Sequence, residues 1–316
     1  MASSDSSATL SAAKLKVPSS AELKAVRSDL VHFVKMQGVG NDFVVLDGRY
    51  GLPYEKSKLA KVLCNRNYGI GADGLVVLGA STKADVSMAF FNPDGSEAIC
   101  ANGIRCLAKY VYQAELLGKD FKQFSIQTPS RVVNVTILNR GEKIRVDMGR
   151  PLFEGQLIPI AQKDKCVKQE LKVGKDTYEV TAVGMGNPHC VVFVDDVEAL
   201  DLEVIGPEFE NHEFFPERTN VEFIQVLSRS ALKMRVWERG VGETLACGTG
   251  VCASIAAAVS NELSERSVSM ETRGGMLEVH WRQDNGKIDL TGPAEVVFTG
   301  EFTSGSGLSK LLNAES

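Results

Sequence analysis

Residues 96–106 read SEAICANGIRC, and residues 242–252 read GETLACGTGVC. In each stretch a cysteine follows a glycine by five positions, Gly95 to Cys100 and Gly242 to Cys247, and the chain runs on as Cys-x-Asn/Thr-Gly. Behind each cysteine lies a helical pattern. Ile104, Leu107, Ala108, Val111 and Tyr112 recur at helical spacing, which predicts a helix from Cys100 to about Leu117 with Gly118 as its stop. An alanine-rich run predicts a second helix from Cys247 to about Ser260. One chain therefore makes the same cysteine-to-helix turn twice.

The surroundings of the two turns repeat as well. Before the first, residues 31–36 and 43–47 read as strands about the glycine-rich turn QGVGND, and KSKLAKVLCNR has helical spacing with Leu59, Val62 and Leu63 on one face. GLVVLGA and DVSMAFF read as strands, and FSIQTPS, RVVNVTIL and KIRVDMG follow the helix. In the second half, YEVTAVGMGNPHCVVFVDD gives two strands about a Gly-Asn-Pro turn, then come NVEFIQVLS and ALKMRVWERG. SVSMET, MLEVHWR and KIDLTG follow the second helix, and AEVVFTGEF ends the series. Each half is a mostly β unit with one long helix, so the expected class is α/β (α+β). The expected layout is an extension over 1–30, one half over 31–148 and a second over 149–296.

Bulk properties narrow the function. The chain has 316 residues, enough for about two domains, and a net charge of −5 with no basic run, which argues against nucleic acid. No apolar run approaches the roughly 20 residues that span a membrane. Seven cysteines, an odd number, suit a reducing compartment, and the absence of a C-x-x-C pair with only four histidines argues against structural zinc. The Ser- and Ala-rich first 30 residues have no secretory apolar core. They read as a disordered or loosely helical extension in preference to a transit peptide, because their single arginine is Arg27 and both Asp5 and Glu22 are acidic. GIGADG, from Gly69 to Gly74, matches a dinucleotide fingerprint, but a helical pattern precedes it and an apolar run follows, the reverse of what that site needs. The sequon at Asn134 falls in a predicted strand.

A cysteine at a helix N-terminus faces unpaired N–H groups and the positive end of the dipole, which favour its thiolate. The glycines that follow, Gly103 and Gly248, let a ligand approach the backbone. Two such thiols across one cleft can remove a proton from one face of a carbon and return it to the other, inverting the centre. N–H groups aimed at a substrate carboxylate would stabilise the charge that develops there. His189, after a Gly-Asn-Pro turn, and Glu238 with Arg239, before the second cysteine loop, are candidate helpers. Asn41, Asn92 and Asn220 end or follow strands, where asparagine usually serves the turn. Cys64, Cys106, Cys190 and Cys252 read as core and Cys166 as incidental in a polar loop. No lysine and phosphate cradle suggests pyridoxal phosphate, and no cofactor is expected.

KMQGVGNDFVVLD, GIGADG, FNPDGSEAICANGIRC, GMGNPHCVVFVDD, FPERTNVEF and VWERGVGETLACGTGVCA together resemble the diaminopimelate epimerase family, in order from about Phe33 to Phe302. The resemblance implies a cofactor-independent enzyme that interconverts LL- and meso-diaminopimelate in lysine and peptidoglycan biosynthesis. It implies two pseudo-symmetric domains, each with strands wrapped around a central helix, and an active site in the cleft between them. A C-terminal strand, about 297–312, would return to the first domain. A homodimer and a cytoplasmic location are implied, with a plastid as the alternative. Carried onto this chain, Cys100 and Cys247 would be the acid/base thiols, with His189 paired to Cys100 and Glu238 to Cys247. Asn41, Asn102 and Gly103, with Gly248 and Thr249, would hold the reacting carboxylate and amine. Asn92, Asn187, Asn220 and Arg239, with the Glu238 backbone, would grip the distal end. Three positions depart from the family's usual pattern: Ala101 where glycine is usual, a loop one residue shorter before Cys100, and Gly74 where glutamine is frequent. The alternatives are a racemase or epimerase for another amino acid, an inactive amino-acid-binding relative and a cysteine hydrolase; the last leaves the second thiol unexplained.

Overall fold

The computed structural model describes residues 30–52 and 54–303. Most of the expected extension, and the end of the expected returning strand, lie outside the described residues.

The first half opens with a hairpin of β1 (Leu30–Gly38) and β2 (Asn41–Asp47). Its turn is only Val39–Gly40, both at positive φ (50° and 83°), the geometry a two-residue hairpin turn needs. The predicted turn was wider, because Gln37–Asp42 and Gly38–Asn41 are already paired. Asn41 thus becomes the first residue of β2. Helix α1 (Lys56–Leu63) follows, burying Leu59, Ala60, Val62 and Leu63. Then come β3 (Gly74–Gly79), β4 (Val86–Phe91), the short β5 (Glu97–Ala98), helix α2 (Ala101–Gln113) and the meander β6 (Gln123–Gln127), β7 (Val132–Leu138) and β8 (Lys143–Gly149).

The second half repeats this course. After β9 (Gln169–Val173) come β10 (Asp176–Gly184), β11 (Pro188–Phe193), helix α3 (Leu202–Glu210), β12 (Asn220–Ser228), β13 (Ala231–Glu238) and β14 (Gly242–Thr244). Helix α4 (Gly248–Ser260) leads to β15 (Ser267–Thr272), β16 (Gly275–Trp281) and β17 (Ile288–Gly292). Finally β18 (Glu295–Thr303) returns to pair antiparallel with β1.

The pairing pattern is the same in both halves. β1–β2, β3–β4, β6–β7 and β7–β8 are antiparallel, while β2–β3 and β4–β6 are parallel. β10–β11, β12–β13, β15–β16 and β16–β17 repeat the antiparallel pairs, and β11–β12 and β13–β15 the parallel ones. β8 joins β17 antiparallel, so the 18 strands among the described residues form one continuous ladder, with β18 and β9 at its ends. Each half wraps around its own helix. α2 is touched by β1, β2, β3, β4, β7 and β8, and α4 by β10, β11, β12, β16 and β17. Enclosure on every side explains why Ala101 through Ala108 and Gly250 through Ala258 are buried without a break.

One core runs through both halves, from Met36, Ile104 and Leu107 to Ile255, Leu277 and Leu290. α1 and α3 cover the outer sheet faces. Leu59 and Leu63 pack on Val44, Leu75 and Val77, and Leu202 and Phe209 on Val221, Phe223 and Trp237. Three expectations need correction. α2 ends at Gln113, because Glu115 already takes the left-handed conformation assigned to Gly118 (φ 52°). α3 was not foreseen, since Gly206 and Pro207 break its pattern. Cys166 is fully buried in the second outer core rather than sitting in a polar loop.

Candidate active site

Cys100 is the N-cap of α2. Its backbone is extended (φ −130°, ψ 112°), and its carbonyl accepts the first helical bond, from Ile104 N at 3.0 Å. Its Sγ points to Asn41 Oδ1 at 3.5 Å. Burial is the largest influence on this thiol and pushes it up to about 11; the N–H groups of Gly103 and Asn102 act the other way, and the charge of Glu238 pushes it further up.

Cys247 caps α4 in the same way (φ −111°, ψ 113°). Its Sγ meets Thr249 Oγ1 at 3.4 Å, and it is hydrogen-bonded to Glu238. Burial, then the carboxylates of Glu238 and Glu222, raise this thiol well above the ordinary range. Glu238 itself is raised, first by burial, while bonds from Thr244 and Cys247 hold it down. Thr244 Oγ1 donates to Glu238 Oε1.

The two caps abut. Asn102 Nδ2 donates across the seam to Ala246 O at 3.1 Å and to Asn41 Oδ1 at 3.3 Å. A Cβ on Gly248 would stand 2.6 Å from that of Ala101, so only one of the two positions can carry a methyl. The hairpin tip seats against the second half too, since a Cβ on Gly274 would come 1.8 Å from Val39 O. The seam is closed over Cys247, which is 7% exposed. A shallow apolar depression, too tight for a water, lies beside Cys100 between Met88, Phe90, Ile99, Ile104 and Pro129. Its walls offer little to a charged ligand.

Around Cys247 the expected residues link into a chain. Asn187 Nδ2 donates to Thr249 Oγ1 at 3.5 Å, and Asn187 Oδ1 lies 2.9 Å from His189 Nε2. Asn220 Nδ2 donates to Pro188 O at 2.9 Å, and its Oδ1 accepts from Arg239 N at 3.0 Å. Arg239 Nη1 donates to Glu217 O at 3.0 Å. Asn92 stands apart. It holds its own turn, through Nδ2 to Ser96 Oγ at 3.0 Å, the ordinary service of a turn asparagine.

The expected pairing of His189 with Cys100 is corrected. Parallel register sets His189 opposite Asn220 on β12, and Glu222 follows two residues later on the same face. Glu222 Oε1 takes His189 Nδ1 at 2.7 Å and Asn187 takes the other nitrogen, so His189 belongs to the Cys247 side. Sequence reading missed Glu222, which is wholly buried with Oε2 unpartnered. A carboxylate flanked by Val221 and Phe223 inside a strand was the available signal. It also missed Asp73, which accepts Asn41 Nδ2 at 2.6 Å.

Strands wound about two helices form a fold shared with several solved structures. A hydroxyproline epimerase from Agrobacterium vitis superposes with a TM-score of 0.65 at 12% identity, covering 89% of this chain and 94% of that one. A phenazine biosynthesis protein of the PhzF family from Bacillus anthracis gives 0.62 at 15%, covering 86% and 99%. Sequence comparison is more specific. The family model described as diaminopimelate epimerase matches residues 33–154 and 181–297. The diaminopimelate epimerase of Trichodesmium erythraeum is 49% identical over 274 residues, 85% of this chain and 98% of its own length. The chloroplastic one of Oryza sativa subsp. japonica is 47% identical over 283 residues, 85% of this chain and 79% of its own. The chain belongs to the diaminopimelate epimerase family.

The raised thiols predict how the free protein reacts. Below its midpoint each pH unit costs a thiol about tenfold in thiolate. Peptide-resolved alkylation should label Cys100 with a midpoint near 11 and Cys247 more slowly. A midpoint near the unperturbed ~8.5 for either thiol contradicts the burial described.

Proposed function

We propose that this protein is a cofactor-independent isomerase that interconverts LL- and meso-diaminopimelate, with Cys100 and Cys247 as the two bases. The observation that carries the reading is the abutment of two helix N-termini, each with a cysteine as its N-cap residue. Family membership supports the reaction, and the names of the relatives support the substrate.

The seam must open to admit the amino acid. Its reacting carboxylate then lies against the free N–H groups of the two helices, Asn102 and Gly103 on one side and Gly248 and Thr249 on the other. Cys247 passes its proton to Glu238 and, as thiolate, takes the α-proton. The electron pair left on Cα delocalises into the carboxylate, whose added charge the same N–H groups stabilise. Cys100 donates its S–H proton from the opposite face. The forward turnover leaves Cys100 as thiolate with Cys247 and Glu238 protonated. In the reverse direction Cys100 takes the α-proton, Cys247 donates its own and Glu238 then reprotonates Cys247. Between successive forward turnovers Glu238 loses its proton and Cys100 regains one by exchange with water. A substrate ammonium entering beside Glu238 and Glu222 lowers the local negative charge that holds Cys247 in its thiol form. Asn187, Asn220 and Arg239 hold the distal amino-acid end, where the guanidinium fork suits a carboxylate. Asn92 joins them only if its turn moves on closure.

The family resemblance also supports a homodimer, which sedimentation distinguishes from a monomer of 34.2 kDa. The rice relatives named as chloroplastic favour a plastid over the cytoplasm, and import of a reporter behind residues 1–30 separates the two.

The reaction is tested by ¹H NMR of LL-diaminopimelate with reduced protein in D₂O. The α-proton signal should be lost as the meso isomer forms, while lysine and histidine stay unchanged. Cys100→Ser and Cys247→Ser should each lose at least ~10²-fold in rate. Exchange of lysine or histidine but not of diaminopimelate overturns the substrate. Silence with every amino acid overturns the reaction.

A further inference from the structure

No residue of the glycine-rich segment GIGADG is hydrogen-bonded to either thiol, yet the segment is built with unusual economy of space. A Cβ on Gly69 would come 2.0 Å from Val62 O, so the chain folds back directly against the end of α1. Gly71 follows at φ 80°. The tight return sets Asp73 immediately before β3, opposite the start of β2.

Asp73 there accepts three hydrogen bonds, one of them also an ion pair. Oδ2 takes Asn41 Nδ2 at 2.6 Å and Asp42 N at 3.0 Å, and Oδ1 takes Arg66 Nη2 at 2.7 Å. Arg66 Nη2 also reaches Asp42 Oδ1 at 2.8 Å, and Lys35 is ion-paired to Asp42 and donates to Gly71 O. The result is an alternating cluster of two cations and two carboxylates. Burial raises Asp42, but the bonds from Arg66 and Lys35 outweigh it and hold it at about 2.

The consequence falls on Asn41. An ionised carboxylate only accepts, so it fixes the NH₂ end of the amide toward itself. On the far side Asn102 Nδ2 donates to Asn41 Oδ1 at 3.3 Å, which fixes the oxygen end. Both constraints present an oxygen to Cys100. An oxygen accepts from a thiol and repels a thiolate; an NH₂ would do the opposite. The second half differs at the matching place. Asn187, just before β11 as Asn41 opens β2, is held by His189 and gives its NH₂ to Thr249, whose hydroxyl can donate to Cys247 or accept from it.

We propose that Asp73 is a positioning residue that locks the Asn41 amide with its oxygen toward Cys100, and so keeps the first thiol in its protonated, proton-donating form. The proposal rests on the reading of Cys100 as an acid/base thiol, but its test needs no turnover. The other charges facing Cys100 are Glu238 from β13 and Arg105 from α2, and neither is altered by the test.

The test is peptide-resolved alkylation of Cys100 across pH in wild type, Asp73→Ala, Asp73→Asn, Asn41→Ala and the double variant Asp73→Ala/Asn41→Ala, with Cys247 as internal control. Freed from Asp73, Asn41 can turn its NH₂ toward the sulfur. One hydrogen bond exchanged in this way makes Cys100 about fivefold more reactive at fixed pH in Asp73→Ala, with Cys247 unmoved. In the Asn41→Ala background the further loss of Asp73 should change nothing. If the acceleration persists there, the effect is bare charge and the proposal fails. It fails equally if Cys100 is unchanged in both Asp73 variants. If one variant is misfolded, by circular dichroism, the other decides. Loss of epimerase activity with unchanged labelling would count against Asp73 while leaving the reaction intact; absence of any exchange in wild type would count against the reaction alone.

Discussion

Two helix N-termini that meet end to end point their unpaired N–H groups at one another, an arrangement whose natural occupant is an anion. α2 and α4 meet in this way, bridged by Asn102 Nδ2 to Ala246 O and packed so closely that Ala101 leaves room only for Gly248. Nothing in the two helices alone favours the contact. It is imposed by the ladder around them, where β8 joins β17 and β18 returns to β1, so that each half winds about its own helix and presents that helix's start to the other.

That enclosure has a chemical consequence. Burial drives both thiols and Glu238 toward their neutral forms, against the pull of the helix N–H groups. Burial alone therefore makes the closed site poor at generating thiolate, and in the proposed reaction the substrate ammonium would offset this. The halves also differ in detail. The first thiol faces an amide oxygen held by Asp73, and the second faces a hydroxyl and a carboxylate backed by the His189–Glu222 pair. An inverting site has to tell a donor from an acceptor, and the asymmetry lies in these neighbours rather than in the cysteines.

Much of this was legible in the residues. The repeated Cys-x-Asn/Thr-Gly turn marked both helix starts, and strand periodicity marked most of the ladder. Helix α3 escaped because Gly206–Pro207 contradicts helical propensity, and only packing of Leu202 and Phe209 on the sheet overrides it. The partner of His189 escaped because parallel register, not sequence distance, brings β11 beside Glu222. GIGADG lies between α1 and β3, the element order read from the residues, but its use in delivering Asp73 depends on a backbone approach to Val62 that no local pattern announces. The substitution of Ala101 for glycine is explained by the gap that Gly248 leaves, and Gly74 by the lack of room for a side chain, since a Cβ there would come 2.3 Å from the Phe90 ring and 3.0 Å from Phe91 O.

The central claim, two thiols on opposite faces of one carbon, is tested most directly by isotope distribution in the first turnover. LL-diaminopimelate mixed with excess enzyme in D₂O and quenched within one turnover should give meso product that carries deuterium at the inverted carbon, while recovered LL isomer keeps its α-hydrogen. Separate bases cannot hand the abstracted hydrogen to the other face. Meso product that retains the original hydrogen would show one base serving both faces and would contradict the account.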